Sequence, residues 1–346
     1  MKNAEIIFVP APGRGHLIYM VELAKLFIQR NESVSVTIFI IKFPFDTGVS
    51  SYMKSLSNHP MPRFTILEIP PSYSELYKSH NFHTLFSAFI EGHVTNVRDQ
   101  VMAMRQPDYP TRVAGLVVDI FCVSMIDVAK ELSVPTYVYS ASGAGFLSIV
   151  LHLQAMTDFQ EEDISEYENS DAQLSVPYFR NQVPAKVLPA ICLDKAGSQL
   201  MLLCARKFRE TKGLIINTFA ELETYAVESL MTDNKIPPVY AVGPNLDISA
   251  GDEDCDEVAD ILKWLDEKPL SSVVFLCFGS FGSFPQDQVK IIDSKIVESK
   301  IREVMEDGSD IRKKVTEIKG KSRNAMAENG SSCINLGRLI EDIIAS

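Results

Sequence analysis

The sequence predicts an α/β fold in which a doubly wound parallel sheet is covered by helices on both faces. Two patterns carry that expectation. Short strand-like runs alternate with helix-like ones through the first two thirds of the chain, as parallel sheets with helical crossovers require. At the amino end, a buried strand breaks through a Pro/Gly turn into an amphipathic helix, the basic unit of such a sheet. Composition agrees, since 346 residues with 46% hydrophobic and 23% charged side chains describe a globular chain long enough for two domains.

In order, Ile6 to Val9 reads as the first strand, Pro10 to Gly15 as its turn, and Leu17 to Gln29 as a helix. Leu17, Met20, Val21, Ala24 and Phe27 recur there at helical spacing. Further strands are expected at Val34 to Ile41, Phe64 to Ile69, Val113 to Val118, Thr136 to Tyr139, Gly213 to Asn217 and Val239 to Val242. The intervening helices are His83 to Met104, Phe121 to Leu132, Gly145 to Thr157, Ser198 to Arg209 and Ala220 to Met231. Phe159 to Pro189 is polar, then proline-bearing, and is expected to run over the surface. Seven strands complete one doubly wound domain, residues 1–244, which closes at Gly243, Pro244 and an acidic linker.

Residues 245–346 read differently. A helix carrying Ile261, Leu262 and Leu265 leads to one buried strand, Val273 to Phe278, and the turn FGSFGSFP. Ile296 to Met305, Ile311 to Met326 and Cys333 to Ile344 follow as helices. A single parallel strand leaves backbone groups and apolar faces without neighbours, so this second domain reads as incomplete.

A net charge of −12, with no basic patch to offset it, argues against a nucleic-acid partner. The acidic stretches Asp158 to Asp171 and Gly251 to Glu257 read as solvated loops. Six cysteines with no C-x-x-C pair fit reduced thiols in a cytoplasmic protein. The first apolar stretch is too short for a signal peptide, and Gly143 to Leu151, the longest apolar run, is too short to span a bilayer.

The candidate chemistry begins with His16. Its turn, Gly13-Arg14-Gly15, departs from a dinucleotide fingerprint: Ile18 takes the third glycine's place, and Lys42 follows the second strand where an acid would hold ribose. Nor does Gly15-His16-Leu17 supply the ending of a phosphate loop. What remains is a histidine at the carboxyl edge of a sheet, where open α/β folds hold ligands. Its ordinary pKa suits a general base. Asp119, directly after the fourth strand, would reach the same edge and could fix the imidazole tautomer. Alternatively, Asp119 caps the helix near Phe121 and His16 caps its own turn.

Neither Ser124 nor Ser142 lies in a nucleophile elbow. His59, His80, His83, His93 and His152 lack metal-ligand spacing and fit surface or loop roles. The turn Phe278 to Ser283 is either a phosphate cradle or a plain strand-to-helix turn.

Taken together, VPAPGRGHL, GLVVDIFCVSMIDVAKELSVPTYVYSASGAGFL, VPYFRNQVPAKVLP, GLIINTFAELE, PPVYAVGPNLD and ILKWLDEKPLSSVVFLCFGSFGSF resemble the plant family-1 UDP-dependent glycosyltransferases. That resemblance implies a GT-B-like fold: a complete acceptor-binding Rossmann-like domain followed by a truncated donor domain. It makes His16 the base that deprotonates an acceptor hydroxyl and Asp119 the group that orients it. A sugar, glucose by the same resemblance, would pass from UDP to a small lipophilic metabolite with inversion and without a metal or cofactor. Gly279, Ser280 and Ser142 would bind the donor, and Gly15 and Phe121 would border the acceptor. Ser142 stands where Ala141-Ser142-Gly143 departs from a family threonine.

The family's donor signature, W-x-P-Q through H-C-G-W-N-S, has no counterpart here. The only tryptophan is Trp264 and no histidine follows His152. The match jumps near Ile292 and Asp293 to the terminal segment, as an internal deletion would produce through a splice form, a gene-model fault or a pseudo-enzyme. The alternative function is therefore a non-catalytic acceptor-binding or regulatory relative. The incomplete domain is also expected to expose apolar surface that favours self-association.

Overall fold

Seven of the apolar runs become strands of one parallel sheet in the computed structural model, which describes residues 3–44, 48–70, 81–246, 256–269, 272–275, 294–306 and 308–346. Numbered along the chain, the strands are β1 (Ala4–Val9), β2 (Val34–Ile40), β3 (Phe64–Glu68), β4 (Arg112–Asp119), β5 (Thr136–Ser140), β6 (Gln173–Leu174), β7 (Val183–Pro184), β8 (Gly213–Ile216) and β9 (Val239–Ala241). The sheet order is β3-β2-β1-β4-β5-β8-β9, with every adjacent pair parallel. β6 and β7 form a separate antiparallel pair. β1 and β2 are buried along their whole length because helices cover both faces, whereas β3, at the sheet's edge, alternates half-buried and exposed residues.

The helices follow from local sequence. α1 (Arg14–Arg30) starts after Gly13, whose φ of +135° is a conformation that glycine adopts without strain. It buries Leu17, Met20, Val21, Ala24 and Phe27, and Phe27 meets Phe8 of β1 edge-on with ring centroids 5.5 Å apart. Burying each large apolar side chain contributes roughly 1.5–3 kcal/mol. Asn31 ends the helix in a side-chain turn, accepting hydrogen bonds from the Ser33 amide and hydroxyl. Beyond it come α2 (Val49–Asn58), α3 (Phe82–Gly92), α4 (Val94–Met104), α5 (Ser124–Glu131), α6 (Ala144–Gln160), α7 (Ala190–Leu193), α8 (Lys195–Phe208) and α9 (Thr224–Thr232).

Besides adding α2, α7, β6 and β7, the structure departs from the sequence expectation in four places. The helix expected over residues 83–104 is two, α3 and α4, meeting at His93. This residue is buried, not a surface or loop histidine, and its Nδ1 lies 2.8 Å from the Phe89 carbonyl. The excursion 159–189 is packed, with Ile164, Leu174, Val176, Tyr178 and Val183 in the core, since its apolar residues are too many to leave in water. Ser272 to Phe275 form no strand, and the remainder of the strand expected there lies outside the described residues.

The fourth departure concerns the boundary. Residues 1–246 and 324–346 form one unit and 247–323 another, so the terminal helix belongs with the sheet. After α10 (Asp256–Asp266), α11 (Ser294–Met305) and α12 (Asp310–Met326) comes α13 (Ser331–Ala345). It buries Leu336, Leu339, Ile340 and Ile343 in the cluster that holds Ile6, Ala114, Tyr137, Ile215 and Tyr240. Tyr240 donates to Asp342 at 2.5 Å, Ser332 to the Gly243 carbonyl at 2.6 Å and Arg112 to the Ile344 carbonyl at 2.9 Å. A continuous apolar stripe at helical spacing found an uncovered face of the sheet.

Candidate active site

β1 and β4 are neighbours, with Val9 opposite Val118, so the turn after β1 and the end of β4 open at one edge. His16 stands in the first turn of α1, and Asp119 is the last residue of β4. Their side chains meet: His16 Nδ1 lies 2.8 Å from Asp119 Oδ2. Asp119 is fully buried and held at its other oxygen, Oδ1, which accepts from the Phe121 amide at 3.0 Å. Its carbonyl accepts from the Cys122 amide at 2.8 Å. Asp119 therefore holds both His16 and the turn that follows β4, while α5 begins after Val123 with no side-chain cap and α1 after Gly13 likewise, so the alternative in which the two residues serve only as helix caps is not what the structure shows.

The Asp119 carboxylate raises the His16 pKa above its ordinary value, against burial, which lowers it. With Nδ1 on the carboxylate, the neutral ring carries its proton there. Nε2 has no protein partner among the described residues, and the His16 side chain keeps 32% of its surface exposed. A buried acid, an oriented ring and an accessible ring nitrogen give this edge a group chemically able to accept a proton.

An aromatic wall extends from the base. Phe121 meets the His16 ring edge-on at 5.6 Å, Phe86 meets Phe121 at 5.4 Å, and Phe43 and Phe82 lie 5.8 and 5.7 Å from Phe86. Phe82, Phe86 and Phe89 sit on one stripe of α3, a spacing visible in the sequence, although nothing local announces that Phe86 meets Phe121, the ring beside His16. A side chain at Gly15 would meet no atom within 4 Å, so this glycine borders open space beside the base.

Ser142 lies in the loop after β5, beside the Asp119 turn: Asp119 pairs with Tyr139, and the Ile120 amide donates to the Tyr139 carbonyl at 3.1 Å. The loop is fastened by Glu223, whose carboxylate accepts from the amides of Ala144 at 2.9 Å and Gly145 at 2.8 Å, capping α6 from 79 residues away. A methyl at Gly143 would stand 2.3 Å from Glu223 Oε2, so glycine admits the carboxylate. No local pattern signals this contact, because a cap normally comes from the residue just before the helix. Gly279 and Ser280 lie outside the described residues. Among the described residues, no group of three or more His, Cys, Asp or Glu side chains is placed to hold a metal ion, and no helix is long and apolar enough to cross a membrane. Cys122, Cys192, Cys204 and Cys333 are free thiols.

A parallel α/β sheet with an Asp-oriented histidine at its carboxyl edge, beside a row of aromatic rings, is the arrangement to set against known proteins. The chain is 51% identical over 291 residues to UDP-glycosyltransferase 100 of Panax ginseng, which covers 84% of this chain and 61% of that relative. It is 43% identical over 312 residues to UDP-glucose flavonoid 3-O-glucosyltransferase 6 of Fragaria ananassa, covering 87% and 64%. Among solved structures it matches UGT71G1 of Medicago truncatula complexed with UDP-glucose, at TM-score 0.84, 30% identity and coverage of 99% of this chain and 98% of that one. A UGT of Siraitia grosvenorii in complex with UDP matches at TM-score 0.85 and 27% identity, over 99% and 100%. No protein-family model matches. The chain belongs to the plant UDP-glycosyltransferases, and it spans about 61% of the length of the ginseng relatives it matches.

Proposed function

We propose that the chain serves transfer of a sugar, glucose in the first instance, from UDP to a hydroxyl of a small lipophilic metabolite. The observation that carries this reading is the 2.8 Å contact of His16 Nδ1 with Asp119, which leaves Nε2 open at the sheet edge. Nε2 takes the proton of the acceptor hydroxyl, and Asp119 stabilises the imidazolium that forms. The acceptor oxygen bonds to the anomeric carbon as the bond to the diphosphate oxygen breaks, inverting that carbon and releasing UDP. Neither a metal nor a bound cofactor enters this step; the UDP-sugar is a co-substrate. Glucose is favoured because the Fragaria relative is named for UDP-glucose and the Medicago structure holds it.

In this reading Phe121 and Gly15 border the acceptor, Ser142, Gly279 and Ser280 attend the donor, and the free thiols suit the cytoplasm. The test is acceptor-dependent UDP release from UDP-glucose with a phenolic acceptor. His16→Ala is expected to lower it about 10²–10⁴-fold. An unchanged rate in that variant removes His16 as the base.

A second reading has its own support. The chain carries no histidine after His152 and only Trp264, and it spans 61% of its ginseng relatives, as an internal deletion near Ile292 and Asp293 would leave it. It would then bind acceptors, or a full-length homologue, without turnover. Each charge-assisted hydrogen bond not made to the nucleotide forfeits roughly 1.5–3 kcal/mol. Calorimetric titration with UDP-glucose separates the readings, and micromolar binding sinks the second.

A further inference from the structure

A cleft of about 740 Å³ opens along the second half of α6, lined by Leu151, His152, Ala155 and Phe159. Those residues stand on the order of 12–24 Å down the helix from Gly143 at 1.5 Å per residue, well removed from the His16 edge. Its other walls come from Pro177 and Tyr178, from Arg209 after α8, and from Asp233 and Lys235 after α9. A space of this size is ample for a small organic molecule.

The two walls differ in kind. One is apolar, with Leu151 and Tyr178 buried and Phe159 76% exposed. The other carries two cationic groups, Arg209 and Lys235, of which the first is fixed in place. Arg209 Nε donates to Gln154 Oε1 at 2.8 Å and Nη1 to the Lys235 carbonyl at 2.9 Å. Gln154 is itself buried and donates to Asp158 at 2.6 Å. The guanidinium is thus immobilised before any ligand arrives, which lowers the ordering cost of binding. Its Nη2, and Nζ of Lys235, have no hydrogen-bond or ion-pair partner among the described residues. The acid in the cleft is already engaged: Asp233 accepts from Tyr178 at 2.6 Å and from the Lys235 amide at 2.8 Å.

Two cations with no ion-pair partner among the described residues line the cleft together with its apolar residues, on a chain of net charge −12, and the nearby Asp158 carboxylate, already bound by Arg206, only partly offsets Arg209. The geometry points to a second small-molecule site in this cleft, one that takes an organic anion: an apolar, flat body against Leu151, Ala155 and Phe159, and a carboxylate on Arg209 and Lys235. Arg presents a planar fork of donors suited to carboxylate recognition, and here part of that fork remains unused.

Calorimetric titration of the full chain with 1-naphthoate tests this, with 1-naphthamide as the uncharged match. Naphthoate is expected to bind at about 0.1–1 mM, at least tenfold tighter than the amide, and more weakly as salt rises. Lys235→Ser, at an exposed unpaired side chain, should weaken naphthoate at least threefold. Arg209→Gln should weaken it tenfold or more. Ala155→Phe, which fills the cleft and leaves both cations, should abolish binding, while His16→Ala should leave it unchanged. No heat up to 5 mM naphthoate overturns the site, as does equal binding of the amide. Loss of binding in His16→Ala with retention in Lys235→Ser and Ala155→Phe assigns the probe to the His16 edge and overturns it equally. Arg209 also supports the fold, so the Lys235 and Ala155 variants decide the matter if Arg209→Gln unfolds.

Discussion

Helices α12 and α13 are close neighbours in sequence and both amphipathic, yet their apolar residues meet opposite fates. Leu336, Leu339, Ile340 and Ile343 of α13 are buried on the sheet. Ile311 and Val315 of α12 are exposed, as are Ile261, Leu262, Trp264 and Leu265 of α10 and Ile296 and Val304 of α11. Among the described residues of 247–323 no hydrophobic side chain is buried, whereas the sheet unit has two dense apolar clusters. Helical periodicity creates an apolar face, but only an adjoining layer of strands gives that face something to exclude water against.

Substitutions on the two sides of this divide should behave unlike each other. Leu339→Asp places an unpaired charge at a fully buried position of the sheet unit. It should cost more than about 4 kcal/mol, a large part of a typical domain's stability. A wild-type melting curve for this variant would break the comparison. Gly143→Ala should cost about 1–3 kcal/mol in urea titration, because the new methyl displaces Glu223 from the end of α6. Glu223→Ala should cost about 0.5–2 kcal/mol by leaving the same two amides uncapped. If the Gly143 change is silent, the carboxylate does not fasten this loop.

The His16 contact sharpens the comparison through pH. Its pKa is raised on folding, so the pair's contribution to stability is full below the unfolded value of about 6.5 and disappears as pH rises through the higher folded value. The stability gap between wild type and His16→Gln should therefore be widest near pH 6 and narrow toward pH 9. A gap constant across that range removes the ion pair as its source. Any base-dependent rate runs the other way, rising as the imidazole loses its proton. The smallest effect belongs to the other unit: Ile296→Gln should move the melting transition by less than about 0.5 kcal/mol. A larger loss would mean that this exposed residue is covered in solution, by self-association for instance, which sedimentation at two concentrations would reveal.

All seven principal strands were legible because each is a short apolar block closed by a turn, a signal that needs no distant partner. His16 and Asp119 were legible because Asp119 ends such a block and His16 follows the turn that closes another. Elements were missed where the deciding contact is remote in sequence. α2 carries Val49, Tyr52, Met53 and Leu56 at helical spacing, but only Val49 and Tyr52 are buried and the helix is 10 residues long, so its period is easily passed over. The break at His93 falls inside an unbroken helical pattern. Placement of α13 depended on a sheet face assembled from β1, β4, β8 and β9, and the cap by Glu223 on a residue 79 positions away. Periodicity reports what an element would bury, and only the assembled fold decides where.

Since α13 is bonded to Gly243, Tyr240 and Arg112, the sheet unit holds the chain on both sides of residues 247–323. To the sheet, that stretch is a tether between two fixed posts. The entropy of closing a tether grows only with the logarithm of its length, about 0.6 kcal/mol for each doubling. Sequence inserted or excised there is nearly weightless to the half that carries His16, which leaves this point of the gene open to large changes in length while the sheet goes on folding around the same posts.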